Sequence, residues 1–183
     1  MRKVILGLGI SIDGYIARLD GAVDFLFMPK DYSMEPFFRS VDVALMGRKT
    51  WDAARAMGGS FQSPMKTYVF SRTEPAGERD GVMFVGNAPR TSPAALIRKI
   101  RQQRGKHIWL MGGGELGREF LKADLVDQLY LGVVPTLLGE GIPLFPSGFP
   151  QREFKLVENL TFSKGMISLK YDRVRAKPKA KRS

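Results

Sequence analysis

The chain has no cysteine. A disulfide framework, a thiolate zinc site and a cysteine nucleophile are therefore excluded. Its single histidine, His107, opens the apolar stretch HIWLM. One histidine in that setting argues against a histidine metal cluster and against a Ser–His–Asp triad, and suits a core or strand-end role. No segment approaches the ~20 apolar residues of a membrane-spanning helix. Met1-Arg2-Lys3 before Val4–Ile10 faintly mimics a secretion signal, but the apolar run is short, Asp13 follows it and no small-residue cleavage site appears. The expected location is the cytoplasm. Acidic residues are few beside basic ones: 18 against 29, for a net charge of +11 and a pI near 10.1. That balance invites a nucleic-acid reading. Yet Arg173, Arg175, Lys177, Lys179, Lys181 and Arg182 carry six of the eleven charges, leaving +5 before them. Such Lys- and Pro-containing tails are usually solvated and mobile. A basic nucleic-acid-binding protein is kept as an alternative of a different class.

With 183 residues, 44% hydrophobic and 26% charged, the chain fits one globular domain with a sizeable core. No internal repeat and no linker divides it. The expected organisation is a domain over 1–175 and a basic flexible tail over 176–183.

The most informative stretch is His107–Phe120, HIWLMGGGELGREF. It reads as a short buried strand, a run of glycines and a helix. Gly112, Gly113 and Gly114 allow close backbone approach and positive φ. The amides of Glu115 to Gly117 are the expected free donors of the helix start. A strand feeding a glycine turn and a helix N-terminus is suited to hold phosphate. Formally, Gly112-x-Gly114-x-x-Gly117 also matches the dinucleotide fingerprint. An ordinary glycine turn without a ligand explains the same residues.

Further strands follow from apolar runs: Lys3–Ile10, Val41–Met46, Lys66–Ser71, Val82–Val85 and Asp127–Val134. Ser92-Pro93 is a helix start, an N-cap residue with proline behind it, and Gly105 is a plausible stop. Asp24–Phe38 suggests a short helical region. Pro135–Pro150 reads as a long structured loop. Phe154–Leu160 and Met166–Val174 read as a terminal hairpin, the second strand alternating Ile167, Leu169 and Tyr171 with Ser168, Lys170 and Asp172. Strands alternating with helices up to a terminal hairpin indicate an α/β domain with a mixed sheet.

Three strand ends share one chemistry. Gly47-Arg48-Lys49-Thr50, Ser71-Arg72 and Gly112-Gly113-Gly114 each offer anion-binding groups. Arg48 and Lys49 at a helix N-terminus oppose the macrodipole, which makes sense if an anion binds there. Two solvated surface cations are the plainer explanation.

The order of these motifs resembles the dihydrofolate reductase superfamily. It is most similar to the riboflavin-biosynthesis reductase domain, the C-terminal half of the bifunctional deaminase–reductase, and its stand-alone relatives. The matching segments are Ser11-Ile12-Asp13-Gly14-Tyr15-Ile16-Ala17, Met46-Gly47-Arg48-Lys49-Thr50-Trp51, Met111-Gly112-Gly113-Gly114-Glu115-Leu116, and Leu129–Phe145 with Gly139-Glu140-Gly141-Ile142-Pro143. The likeness runs from Lys3 to Val174. It implies a dihydrofolate reductase-like three-layer α/β fold with a mostly parallel central sheet and a C-terminal antiparallel hairpin.

The resemblance also implies an NADPH site. The loop from Ile10 to Ala17 matches the one beside the nicotinamide. Gly47, Arg48, Lys49 and Thr50 match positions at the phosphates, and Ser71 and Arg72 those beside the adenosine and its 2′-phosphate. Met111 and Gly112 to Leu116 match the pyrophosphate turn. A homodimer is implied too, pairing near the C-terminal hairpin. The family's bifunctional members carry zinc ligands of histidine and cysteine for deamination, and this chain lacks them. The implied activity is hydride transfer from NADPH to a small heterocycle, pterin or ribosylaminopyrimidine-like, or to a carbonyl compound.

Without cysteine or a free histidine, proton transfer falls to carboxylates or water. Asp13 suits turn formation. Glu115 suits the helix dipole, yet it matches a family position facing the active site and is the expected polarising group. Asp24 lies on the expected substrate side and is the second candidate. A Rossmann-type dehydrogenase is a further alternative, with Glu140 near the spacing of its ribose-binding acid.

Overall fold

The computed structural model describes residues 1–56, 58, 65–86 and 92–175. The expected tail, 176–183, lies outside them. The elements in chain order are β1 Val4–Ser11, β2 Tyr15–Ala17, α1 Glu35–Ser40, β3 Val41–Gly47, α2 Arg48–Ala56, β4 Lys66–Phe70, β5 Gly77–Arg79, β6 Val82–Val85, α3 Pro93–Arg101, β7 His107–Gly112, α4 Gly114–Lys122, β8 Gln128–Val134, β9 Ile142–Pro143, β10 Phe154–Thr161 and β11 Ile167–Arg173. Among the described residues no helix is long and apolar enough to cross a membrane.

One sheet of nine strands runs β10-β11-β8-β1-β7-β3-β4-β6-β5. From β8 to β6 every pairing is parallel, while β10, β11 and β5 add antiparallel neighbours at the two edges. The expected mixed sheet is present, with one strand not anticipated. β5 joins β6 through Asp80 and Gly81, both at positive φ, the geometry that two-residue hairpins favour. A second small sheet pairs β2 with β9 inside the long loop after β8.

Strand periodicity decides the layers. Val4, Leu6, Val43, Leu45, Ile108 and Leu110 face Ile97 and Ile100 of α3 and Phe120 and Leu121 of α4. Their alternates turn the other way: Ala44 and Met46 pack with Trp51 of α2, and Ile5 with Phe37 of α1. The sheet is thus covered on both faces, as parallel sheets require. Ser92 caps α3, its hydroxyl accepting from the Ala95 amide at 3.3 Å.

His107 starts β7, and its Nδ1 accepts the Lys3 amide at 3.3 Å. Burial, with Lys3 and the N-terminus nearby, pushes its pKa down, so the neutral ring is favoured.

Arg173 and Arg175 depart from the solvated tail expected of them. Asp127, 5% exposed, accepts from the Val4 amide at 2.8 Å, from Arg175 at 2.7 Å and from Arg101. Asp124 pairs with Arg152, Arg173 and Arg175. Burial alone would raise the Asp124 carboxyl, but Arg173 and Arg175 hold it below the usual carboxylate range. Two acids on the α4–β8 connection therefore fasten the end of β11. Asp127→Asn removes the charge but keeps one acceptor, and should cost about 2 kcal/mol, the scale of a hydrogen bond to a charged group. Chemical denaturation checks this. A loss under about 0.5 kcal/mol would mean that water serves Arg101 and Arg175 equally well.

Candidate functional site

Because β1, β3, β4 and β7 are parallel, their carboxyl ends meet at one edge of the sheet. Gly47 stands opposite Phe70, and Met46 opposite Gly112. Open α/β sheets bind ligands along this edge. The motifs far apart in sequence are brought together there.

The glycine turn divides its work. Gly112 has φ +101°, so the positive φ expected of the turn falls on it. Gly113 sits at φ −56°, ψ 176°, which other residues can adopt, so the positive φ allowed for there is absent. A Cβ on Gly114 would lie 2.5 Å from the Pro143 carbonyl, so this glycine is fixed by packing against β9. A Cβ on Gly113 would meet only the Thr50 hydroxyl, at 3.5 Å. The turn is open at that point. The Gly113 amide donates to Thr50 Oγ1 at 3.1 Å, tying the turn to α2. One expected donor is lost: the Gly117 amide is already bonded to the Gly113 carbonyl at 3.0 Å. The first-turn donors are instead Gly114, Glu115 and Leu116.

The cations stand beside this turn. Arg48 and Lys49 open α2, whose first turn holds no acid. Arg48 bonds Glu74 at 2.7 Å, Thr73 Oγ1 at 3.3 Å and Asp52 at 3.3 Å. Lys49 is exposed and forms no ion pair among the described residues. Arg72 reaches from the end of β4 to Glu115 on α4 at 2.8 Å. Ser71 is buried, and its hydroxyl accepts the amides of Thr73 at 3.2 Å and Glu74 at 2.9 Å, which shapes the turn carrying Arg72. The counter-ions Asp52 and Glu74 were not anticipated. Asp52 was readable as the i+4 partner of Arg48 on a helix. Glu74 comes into reach only through the Ser71 turn, which leaves no sequence signal.

The first loop is held by a clasp. Ser11 Oγ donates to Asp13 at 2.6 Å and accepts the Tyr15 amide at 2.9 Å. Asp13 also accepts the amides of Leu138 at 3.0 Å and Gly139 at 2.8 Å. The Ser11 hydroxyl, with those amides, keeps the Asp13 carboxyl below its usual range. Asp13 thus does the turn work expected of it and extends it to the loop after β8. Ile10 and Ala17 at the ends of this loop are buried.

The two candidate carboxylates are exposed and paired. Arg18 grips Asp24 through both oxygens, at 2.6 and 2.9 Å, and this hydrogen bonding holds the Asp24 carboxyl below its usual range. Glu115 is paired with Arg72. A shallow cavity of about 300 Å³ lies next to the Asp13 clasp, lined by Arg18, Leu19, Asp20, Leu138 and Glu140. Glu140 stands on the loop after β8, and β1 separates β8 from β7. It is not placed on the strand neighbouring the glycine turn, where a Rossmann ribose-binding acid would stand.

Comparison with known proteins agrees with this architecture. The RibD C-terminal domain family matches residues 2–168. Two uncharacterized proteins of Bacillus subtilis (strain 168) are similar over most of their length. YwjB is 34% identical over 148 residues, 79% of this chain and 83% of its own. YyaP is 31% identical over 182 residues, 93% of this chain and 94% of its own. A crystal structure from Shewanella sp. PV-4, of a protein provisionally assigned to riboflavin biosynthesis, superposes with a TM-score of 0.77 at 27% identity. The match covers 96% of this chain and 100% of that one. The fold is the dihydrofolate reductase-like α/β arrangement that the motifs imply.

Proposed function

The chain belongs to the RibD C-terminal domain family, and on that premise we propose that it is a cytoplasmic NADPH-dependent reductase acting on a small heterocyclic or carbonyl substrate. The observation that carries this reading is the meeting of Arg48, Lys49, Arg72 and the open Gly113 turn at one edge of the sheet. The donor set suits a dinucleotide bearing several phosphates. Arginine binds phosphate through a planar fork, and first-turn amides of a helix favour an anion. When bound, the cofactor would supply a hydride from carbon 4 of its dihydronicotinamide ring.

The chain's own residues do the rest. Arg48, Lys49 and Thr50 hold phosphate at the start of α2, and Gly47 at the end of β3 lets them approach. Ser71 sets the turn from which Arg72 reaches the 2′-phosphate, which Arg48 flanks on its other side. Met111 and Gly112 lead into the turn where Gly113, Gly114, Glu115 and Leu116 receive the pyrophosphate. The loop from Ile10 to Ala17, fixed by Asp13, forms the wall beside the nicotinamide ring. Positioning is the main catalytic contribution, and water supplies the proton. Asp24 and Glu115 are the candidate carboxylates for substrate polarisation.

The partner proposed is a second copy of the chain. β10 is an eight-residue edge strand exposing Leu156, Val157 and Leu160, and bare edges of that length are normally covered.

The test is NADPH oxidation against dihydrofolate, the ribosylaminopyrimidine of riboflavin synthesis and simple carbonyls. Oxidation with at least one heterocycle is expected. Saturable NADPH binding with no turnover on any of them would leave the cofactor site and remove the substrate class.

A further inference from the structure

Arg72 and Glu115 pair between the turn after β4 and the first turn of α4, and Glu115 has no second cation among the described residues. Their side chains are 78% and 70% exposed, so the pair can open without unpacking anything. Arg48 is differently placed. Its partner Glu74 also pairs with Arg79 at 3.1 Å, so Glu74 keeps a counter-ion when Arg48 turns away. Glu115 would keep none. It stands in the first turn of α4, where the helix dipole favours an acid. A phosphate drawing Arg72 away would leave a bare carboxylate beside it.

Resting on the cofactor reading above, we propose that Glu115 is an internal competitor of the cofactor's 2′-phosphate for Arg72, and that it sets the margin by which NADPH is preferred over NADH. The same contest acts on the oxidised cofactor, which carries the same phosphate, and speeds its departure. Glu115 in this role is a specificity-determining residue, which leaves Asp24 as the candidate for substrate polarisation.

The experiment is Glu115→Gln in the full chain, titrated with NADPH, NADH and adenosine 2′,5′-bisphosphate, alone and combined with Arg72→Ala. Surface pairs are modest, so a gain of about three- to fivefold is expected for NADPH and the bisphosphate, with NADH changed less than about twofold. The gain should vanish in the Arg72→Ala background, because a double-mutant cycle isolates the pair. Circular dichroism confirms that each variant is folded. An unchanged NADPH to NADH ratio in a wild type that binds NADPH would overturn the proposal and leave the cofactor reading standing. So would a turnover loss above about tenfold at unchanged affinity, equivalent to roughly 1.4 kcal/mol of barrier, which would make Glu115 the polarising group. A wild type that binds neither NADPH nor the bisphosphate would remove both.

Discussion

Replacing Arg48 and Arg72 together with alanine is expected to weaken NADPH by at least about 100-fold, since each charge-assisted phosphate contact is worth about 1.5–3 kcal/mol. NADH should weaken by no more than about threefold, because a cofactor without the 2′-phosphate loses little of what these side chains offer. The lower bound is conservative. Both arginines already have carboxylate partners, Arg48 with Asp52 and Glu74 and Arg72 with Glu115, so binding exchanges one partner for another. The variant also leaves Asp52 and Glu115 uncompensated, which adds repulsion toward an incoming dianion, while Glu74 keeps Arg79. Calorimetric titration of both cofactors reads the difference directly. Equal losses for the two would place the 2′-phosphate elsewhere.

Gly113→Val is expected to weaken both cofactors by at least about 100-fold with melting close to wild type. Its backbone, φ −56° and ψ 176°, accommodates a β-branched residue, and the nearest atom to a Cβ is Thr50 Oγ1 at 3.5 Å. What the side chain fills is the open side of the turn, where pyrophosphate would approach. Gly114→Ala should behave in the opposite way. Its Cβ would sit 2.5 Å from the Pro143 carbonyl, so the cost falls on folding, in the range of about 1–3 kcal/mol for overpacking. Melting curves and cofactor titrations of the two variants side by side separate space for a ligand from space for the fold. Full NADPH affinity in folded Gly113→Val would return this turn to ordinary backbone geometry.

Much of the fold was legible because its strands are buried on both faces. The apolar runs of β1, β3, β7 and β8 could hardly be anything else, and the alternation in β11 declared a half-buried edge region. Ser92-Pro93 announced α3 by its capping chemistry. What was missed was short, polar or distant. β5 is three residues, Gly-Glu-Arg, with no apolar periodicity, although Asp80-Gly81 behind it carried a turn signal. The β2–β9 pairing joins segments more than a hundred residues apart and has no local signature. The charges behaved likewise. Arg48, Arg72 and the glycine turn could be placed at strand ends from sequence, whereas their counter-ions depend on which loops the sheet brings together. Arg173 and Arg175 looked like part of a solvated tail because nothing local shows that Asp124 and Asp127 lie beneath them.

The most direct test of the cofactor assignment is thermal unfolding of the unmodified chain with and without NADPH, with NADH as the comparison. A ligand at about 100 times its Kd adds roughly 2.7 kcal/mol to stability, a shift of several degrees for a domain of this size. The account predicts that shift with NADPH, saturating at one cofactor per chain, and a smaller one with NADH at the same concentration. No shift with NADPH at millimolar concentration, or an equal shift with both, would contradict it.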